Sequence, residues 1–211
     1  MRVVKHSHAC VRVETEGAVL VIDPGGFTEA EALDGADAVL LTHEHADHVD
    51  LAKLTAARER NGDLRIFTHQ AVADQLGPLR DAVTLVDVGD TFDAAGLVVR
   101  AYGGMHAEIH RDIPRIANLG YLVADTFYHP GDSFVVPEDV EIPTLFVPVN
   151  APWAKFSESV DFVRAVGPGQ AIALHDALLS DVGLTIYNGN MQRLAGVPYA
   201  RIEPGELIPT P

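Results

Sequence analysis

The tightest constraint on this chain is the turn Leu41-Thr42-His43-Glu44-His45-Ala46-Asp47-His48, which puts three imidazoles and an aspartate within six residues. The run before it, Asp37-Ala38-Val39-Leu40-Leu41, is apolar and too short for a helix, so it reads as a buried strand. The segment after it, Val49 to Arg60, reads as a helix stopped by Asn61-Gly62. A strand that ends in a ligand loop opening onto a helix is a good place to hold a metal. Neutral imidazole and carboxylate suit a borderline divalent ion such as zinc. Asp47 and His48 are adjacent and cannot both point where His43 and His45 point. The spacing therefore predicts two neighbouring metals, with His43 and His45 serving the first and Asp47 and His48 the second. Histidines also gather in solvated loops by chance. Three of the chain's ten in one turn, directly after a strand, favour the metal.

Composition sets the outer bounds. At 211 residues the chain can bury one good core, and one domain spanning 1–211 is expected because no linker marks a boundary. No apolar run reaches the ~20 residues of a bilayer span. Met1-Arg2-Val3-Val4-Lys5-His6 lacks the apolar stretch of a signal peptide. The one cysteine, Cys10, cannot form an internal disulfide, which suits a reducing compartment. A cytoplasmic location follows as the expectation. A net charge of −15 disfavours nucleic acid and anionic membranes as partners. A small-molecule substrate remains, and oligomeric state is open. Divalent cations at the site would reverse the local sign, so an anionic substrate stays in play.

Strands are expected over 2–5, 10–14 and 18–22, the last ended by Asp23-Pro24-Gly25-Gly26. A strand at 64–68 precedes a short helix at 70–76. Strands at 83–88, 91–93 and 97–102 follow, the last two forming a hairpin. A second hairpin joins 119–124 to 126–128. Thr144 to Val149 is an apolar strand. The next helix runs from Ser157, its expected N-cap, to Val166. Gln170 to Leu174 is a strand, Asp176 to Gln192 is read as largely helical, and the Pro-rich tail from Val197 is expected along the surface. Hairpins open each half and strand–helix alternation closes it, which points to mixed α/β architecture.

The pattern H-x-H-x-D-H at 43–48 resembles the signature of the metallo-β-lactamase superfamily. His6-Ser7-His8-Ala9-Cys10 and Val21-Ile22-Asp23-Pro24 resemble the opening strands of one branch, the small metal-dependent hydrolases of the ascorbate-6-phosphate lactonase type. The resemblance runs from these strands to His175. It implies an αβ/βα sandwich with the site where the two sheets meet at one edge. It also implies the remaining ligands. His106, in Gly103-Gly104-Met105-His106, matches the third histidine of the first metal, with His110 as its competitor. Asp132, in Gly131-Asp132-Ser133, matches the bridging carboxylate. His175, ending Ala171-Ile172-Ala173-Leu174, matches the last histidine of the second metal. The implied set is His43, His45 and His106 on one metal, Asp47, His48 and His175 on the other, and Asp132 between them.

Around this set, Asp23 is a candidate to hold the metal loop by hydrogen bonds, with a turn cap as the competing reading. His8 is a candidate to touch substrate. Trp153 and Lys155 lie on a loop that could roof a pocket. His6, His69 and His129 are assigned no role. Asp47 is the expected catalytic residue, orienting a hydroxide shared by two divalent ions, zinc first and manganese or iron as alternatives. Neither a G-x-G-x-x-G stretch nor a P-loop is present, and Cys10 has no paired histidine. The expected function is hydrolysis of a small ester, lactone or phosphodiester. The alternative is a metal-binding or iron-type redox protein on the same fold; redox relatives pair the fold with a flavin domain, which this sequence does not contain.

Overall fold

The inner strands of this chain are apolar on both faces, and the computed structural model shows why. Residues 1–209 are described. The first sheet contains β1 (Arg2–Lys5), β2 (Val11–Glu14), β3 (Val19–Ile22), β4 (Ala38–Leu40), β5 (Arg65–Thr68) and β6 (Val83–Leu85). The second contains β7 (Thr91–Ala94), β8 (Leu97–Met105), β9 (Ala117–Val123), β10 (Phe127–His129), β11 (Thr144–Pro148) and β12 (Gln170–Leu174). The tail adds β13 (Tyr199–Ala200) to the second sheet and β14 (Glu206–Leu207) to the first. The orders are β14-β1-β2-β3-β4-β5-β6 and β13-β12-β11-β10-β9-β8-β7.

The two sheets face each other across one core. Leu20, Ile22, Ala38 and Leu40 from the first meet Tyr121, Phe127, Phe146, Ile172 and Leu174 from the second. Because side chains alternate along a strand, the intervening residues point outward. Val21, Val39, Leu41 and Ile66 pack under α1 (Leu51–Arg60) and α2 (Gln70–Gln75). Leu145, Val147, Ala171 and Ala173 pack under α3 (Phe156–Val166) and α4 (Asp181–Leu194). This is a four-layer α/β sandwich, as expected. Strands covered on both faces read as continuous apolar runs, and they are the parallel ones. β3 to β6 pair in parallel, as do β10 to β13. The strands before them in each half pair antiparallel.

Several expectations change; the strand of 83–88 ends earlier, at Leu85, and that of 97–102 runs on to Met105. The helix of 49–60 starts later, at Leu51, where the Asp50 carboxylate accepts from the backbone of Ala52 and Lys53 at 3.0 and 3.1 Å. Ser157 is inside α3 rather than at its cap; the Glu158 carboxylate accepts instead from the Lys155 N–H at 2.8 Å. Residues 176–180 are a loop, because His175 holds a left-handed φ of 60° and Asp176 is tied to Arg201 at 2.7 Å. Ser180 then caps α4. The tail does not simply follow the surface: Tyr199 aligns with Ala171 and Leu207 with Val4, extending one edge of each sheet. No helix among the described residues is long and apolar enough to cross a membrane.

Phe146 is fully buried between the sheets, edge-to-face with Phe127 at 5.4 Å. Phe146→Ala is expected to cost about 3–5 kcal/mol in urea unfolding. Val98→Ala, at a site 53% exposed, should change stability by less than about 0.5 kcal/mol.

Candidate metal centre

Five strand ends and one turn meet at a single edge of the sandwich. β3 delivers Asp23, β4 runs into Thr42 and His43–His48, β8 ends before His106, β10 leads to Asp132, and β12 delivers His175. The β1–β2 turn brings His8. Two hydrogen bonds tie the sheets together just behind these residues. Leu119 N–H donates to Thr42 O at 2.9 Å, and the Tyr121 hydroxyl donates to Leu41 O at 2.9 Å.

Asp23 sets the orientation of the metal turn. It is fully buried and accepts from Thr42 N–H at 2.8 Å, from the Thr42 hydroxyl at 2.6 Å and from His48 Nδ1 at 2.7 Å. The Thr42 hydroxyl in turn lies 2.9 Å from His43 Nδ1. With its own proton committed to Asp23, it accepts the His43 N–H. Both imidazoles are thereby fixed in the tautomer that leaves Nε2 free to face inward. His106 and His175 are held the same way, with Nδ1 at 2.6 Å from Ala107 O and 2.7 Å from Asn150 O. Glycine is required where the turn packs: a Cβ on Gly25 would overlap the Asp47 carbonyl and the His48 N–H.

The inward atoms form two groups. His43, His45, His106 and Asp132 make one; His8, Asp47, His48 and His175 make the other, with ligand atoms in each group within 4.8 Å of one another. Asp132 reaches both. Its Oδ2 lies 3.4 Å from His106 Nε2 and 3.2 Å from His175 Nε2, and its Oδ1 lies 3.1 Å from His48 Nε2. Buried Nε2 atoms of His48, His106 and His175, and Asp132 Oδ1, have no hydrogen-bond partner. Unpartnered buried polar atoms are costly unless something absent from the polypeptide satisfies them. Nitrogen and carboxylate donors converging on one spot fit a divalent cation.

The electrostatics point the same way. Burial opposes charge on His48, yet the Asp132 and Asp23 carboxylates outweigh it and raise its pKa well above the ordinary imidazole value. Burial likewise opposes charge on His175, but Asp132 and Asp47 push it up to about 9. Asp132 and Asp47 are held well below the usual carboxylate range despite burial. Anionic groups at this depth demand positive charge. In the bare chain these carboxylates favour the charged forms of His48 and His175, and a cation bound at their Nε2 atoms would take over that role.

Residues 2–175 match the family model described as "Beta-lactamase superfamily domain". The chain belongs to that superfamily. A curated relative, Protein Rv0786c of Mycobacterium tuberculosis, is 38% identical over 201 residues, covering 92% of each chain. A UPF0173 metal-dependent hydrolase of Methylocella silvestris is 28% identical over 170 residues, covering 70% of this chain and 69% of that protein. Among solved structures, Igni18, a metallo hydrolase from Ignicoccus hospitalis, superposes with a TM-score of 0.77 at 17% identity over 98% of this chain and 97% of that one. The superfamily's fold therefore extends to this chain.

All seven residues proposed as ligands come together, and Asp23 holds the turn by hydrogen bonds. His110 does not join them; it is exposed and pairs with Asp112 at 3.5 Å. His8 lies deeper than its expected place beside a substrate. It is fully buried, its Nε2 is 3.0 Å from Asp47 Oδ2, and its ring centroid is 3.8 Å from that of His175. At the corner between β1 and β2 it takes φ 61°, a left-handed conformation uncommon for a residue with a β-carbon. Trp153 reaches the site, donating from Nε1 to Asp132 Oδ2 at 3.0 Å. Lys155 is exposed and does not line the cavity above the ligands.

Asp23→Asn, which weakens the orientation of two imidazoles, should lower zinc affinity about 10–100-fold in a chelator competition while the protein stays folded. Burial pushes the Cys10 thiol up to about 12, so it is no nucleophile at neutral pH. Iodoacetamide should leave native Cys10 unmodified and label it in denaturant.

Proposed function

We propose that this chain is a hydrolase of small esters, lactones or phosphodiesters working through two divalent metal ions, zinc first among them. His43, His45 and His106 would hold one ion, Asp47, His48 and His175 the other, and Asp132 would bridge. The observation that carries this reading is the set of buried, unpartnered Nε2 atoms gathered around Asp132. Such ions, when bound, lower the pKa of water and polarise an acyl or phosphoryl oxygen.

The chain's own residues supply the rest. Asp47 is the least buried carboxylate of the centre, with a side chain 24% exposed against 2% for Asp132. It therefore borders both the ligands and the cavity. Its Oδ2 lies 3.0 Å from His8 Nε2 and 3.4 Å from His175 Nε2, which fixes the carboxylate's direction. We assign Asp47 Oδ2 to accept a hydrogen bond from the attacking water and to carry its proton as the leaving group departs. Trp153, by donating to Asp132 Oδ2 at 3.0 Å, fixes the direction of that carboxylate. Within the superfamily, ring opening of a lactone is the reaction type we place first, in line with the lactonase-type opening strands.

The test combines metal analysis with turnover. Purified protein should carry close to two equivalents of zinc or manganese and hydrolyse chromogenic lactones, esters or phosphodiesters. Asp47→Ala should lower kcat by a factor of about 10²–10⁴ with unchanged circular dichroism. Iron with a visible chromophore and no hydrolysis would favour a redox centre, and full activity in Asp47→Ala would remove the role assigned to that residue.

A further inference from the structure

The ligands lie at the floor of a cavity of about 350 Å³ whose walls are a different chemistry from its floor. His45, Asp47, Asp132 and His175 face it from below. Phe27, Ile109, Pro152, Trp153 and Leu178 form the walls. Phe27 and Leu178 are 50% and 51% exposed at the rim. Large apolar side chains left in water around a polar floor mark a surface that a ligand covers. The wall is also held in place. Lys53 Nζ donates to Gly25 O and Thr28 O at 2.7 Å each, fixing the loop that carries Phe27, whose ring meets His8 edge-to-face at 5.1 Å.

The described lining contains no lysine or arginine. Beyond the metal ions themselves, recognition of a phosphate or a phosphorylated sugar uses such groups, or a free helix N-terminus. Three cations near the site are turned to other partners. Arg115 Nε donates to His106 O at 2.8 Å, Arg201 is bound to Asp176, and the buried Lys5 ammonium donates to the carbonyls of His6 and His8. The N-terminus of α1 is occupied by Asp50. Two divalent cations would offset the charge of Asp23, Asp47, Asp132 and a hydroxide and leave the loaded floor close to neutral, so the walls distinguish one substrate from another.

Resting on the hydrolase reading above, we propose that the substrate is an uncharged carboxylic ester or lactone bearing an apolar chain, and not a phosphodiester. The chain lies along Phe27, Ile109, Trp153 and Leu178 and sets the acyl carbon over Asp47 and Asp132. Water adds its oxygen to the acyl carbon, the acyl C–O bond breaks, and the alcohol oxygen takes the proton. An ester gives an acid and an alcohol; a lactone gives one hydroxy acid.

Trp153 is the chain's one tryptophan, so its fluorescence reports on this wall directly. Metal-loaded protein is titrated with straight-chain primary amides of increasing length and with dialkyl phosphates of matching length. The Kd of the amides should fall about fourfold per added methylene until the cavity fills. The phosphates should bind at least about tenfold more weakly. Leu178→Lys should reverse the preference, weakening amides and strengthening phosphates. Affinity independent of chain length, or phosphates binding as tightly as amides, would overturn the proposal. The same panel is read for turnover with nitrophenyl esters and bis-nitrophenyl phosphate. Faster cleavage of the phosphodiester overturns this substrate class and leaves the hydrolase reading intact. Chain-dependent binding with no hydrolysis of any compound supports the apolar cavity and overturns the hydrolase reading.

Discussion

A carboxylate buried at the end of β3 governs the rest of this edge of the molecule. Asp23 has no access to water, so its charge must be met by donors from the protein. It meets them all on one side, at Thr42 and His48. Those same bonds decide which nitrogen of His43 and His48 turns inward. Its own backbone takes φ 48°, and His8 and His175 take φ 61° and 60°. A left-handed conformation costs a residue with a β-carbon about 1–2 kcal/mol. Three such residues around one centre are tolerated because each is over-determined by its hydrogen bonds, and strain of this kind gathers where geometry matters for function.

The sandwich explains why the centre sits at an edge. Each sheet switches from antiparallel to parallel pairing part-way across. In each, the C-terminal ends of the parallel strands point to the same rim, where side chains leave the ladder and converge. Hydrogen bonds from Leu119 and Tyr121 to the backbone of Thr42 and Leu41 lock the two rims together. Neither sheet alone holds a complete set of donors: the first brings His43, His45, Asp47 and His48, the second His106, Asp132 and His175.

Much of this was legible from residues in order. The His43–His48 turn between an apolar strand and a helix announced the centre. Apolar runs at 37–41 and 144–149 marked buried strands, and likeness of motif placed His106, Asp132 and His175. What stayed hidden depends on contacts across long sequence distances. His8 reads as a strand-end histidine until β12 brings His175 against it. The stop before α4 is set by Arg201 pulling on Asp176, 25 residues away. The tail reads as coil because two-residue strands carry no period of their own; their partners Ala171 and Val4 make them strands. Lys155 and Trp153 share a loop, and only packing separates the exposed ammonium from the indole over Asp132.

The most direct test of the centre is anomalous diffraction from crystals soaked in zinc, with data on both sides of the zinc absorption edge. Two neighbouring peaks are predicted. One should be enclosed by His43, His45 and His106, the other by Asp47, His48 and His175, with the Asp132 carboxylate between them. A single peak, or peaks out of reach of Asp132, would contradict a paired centre.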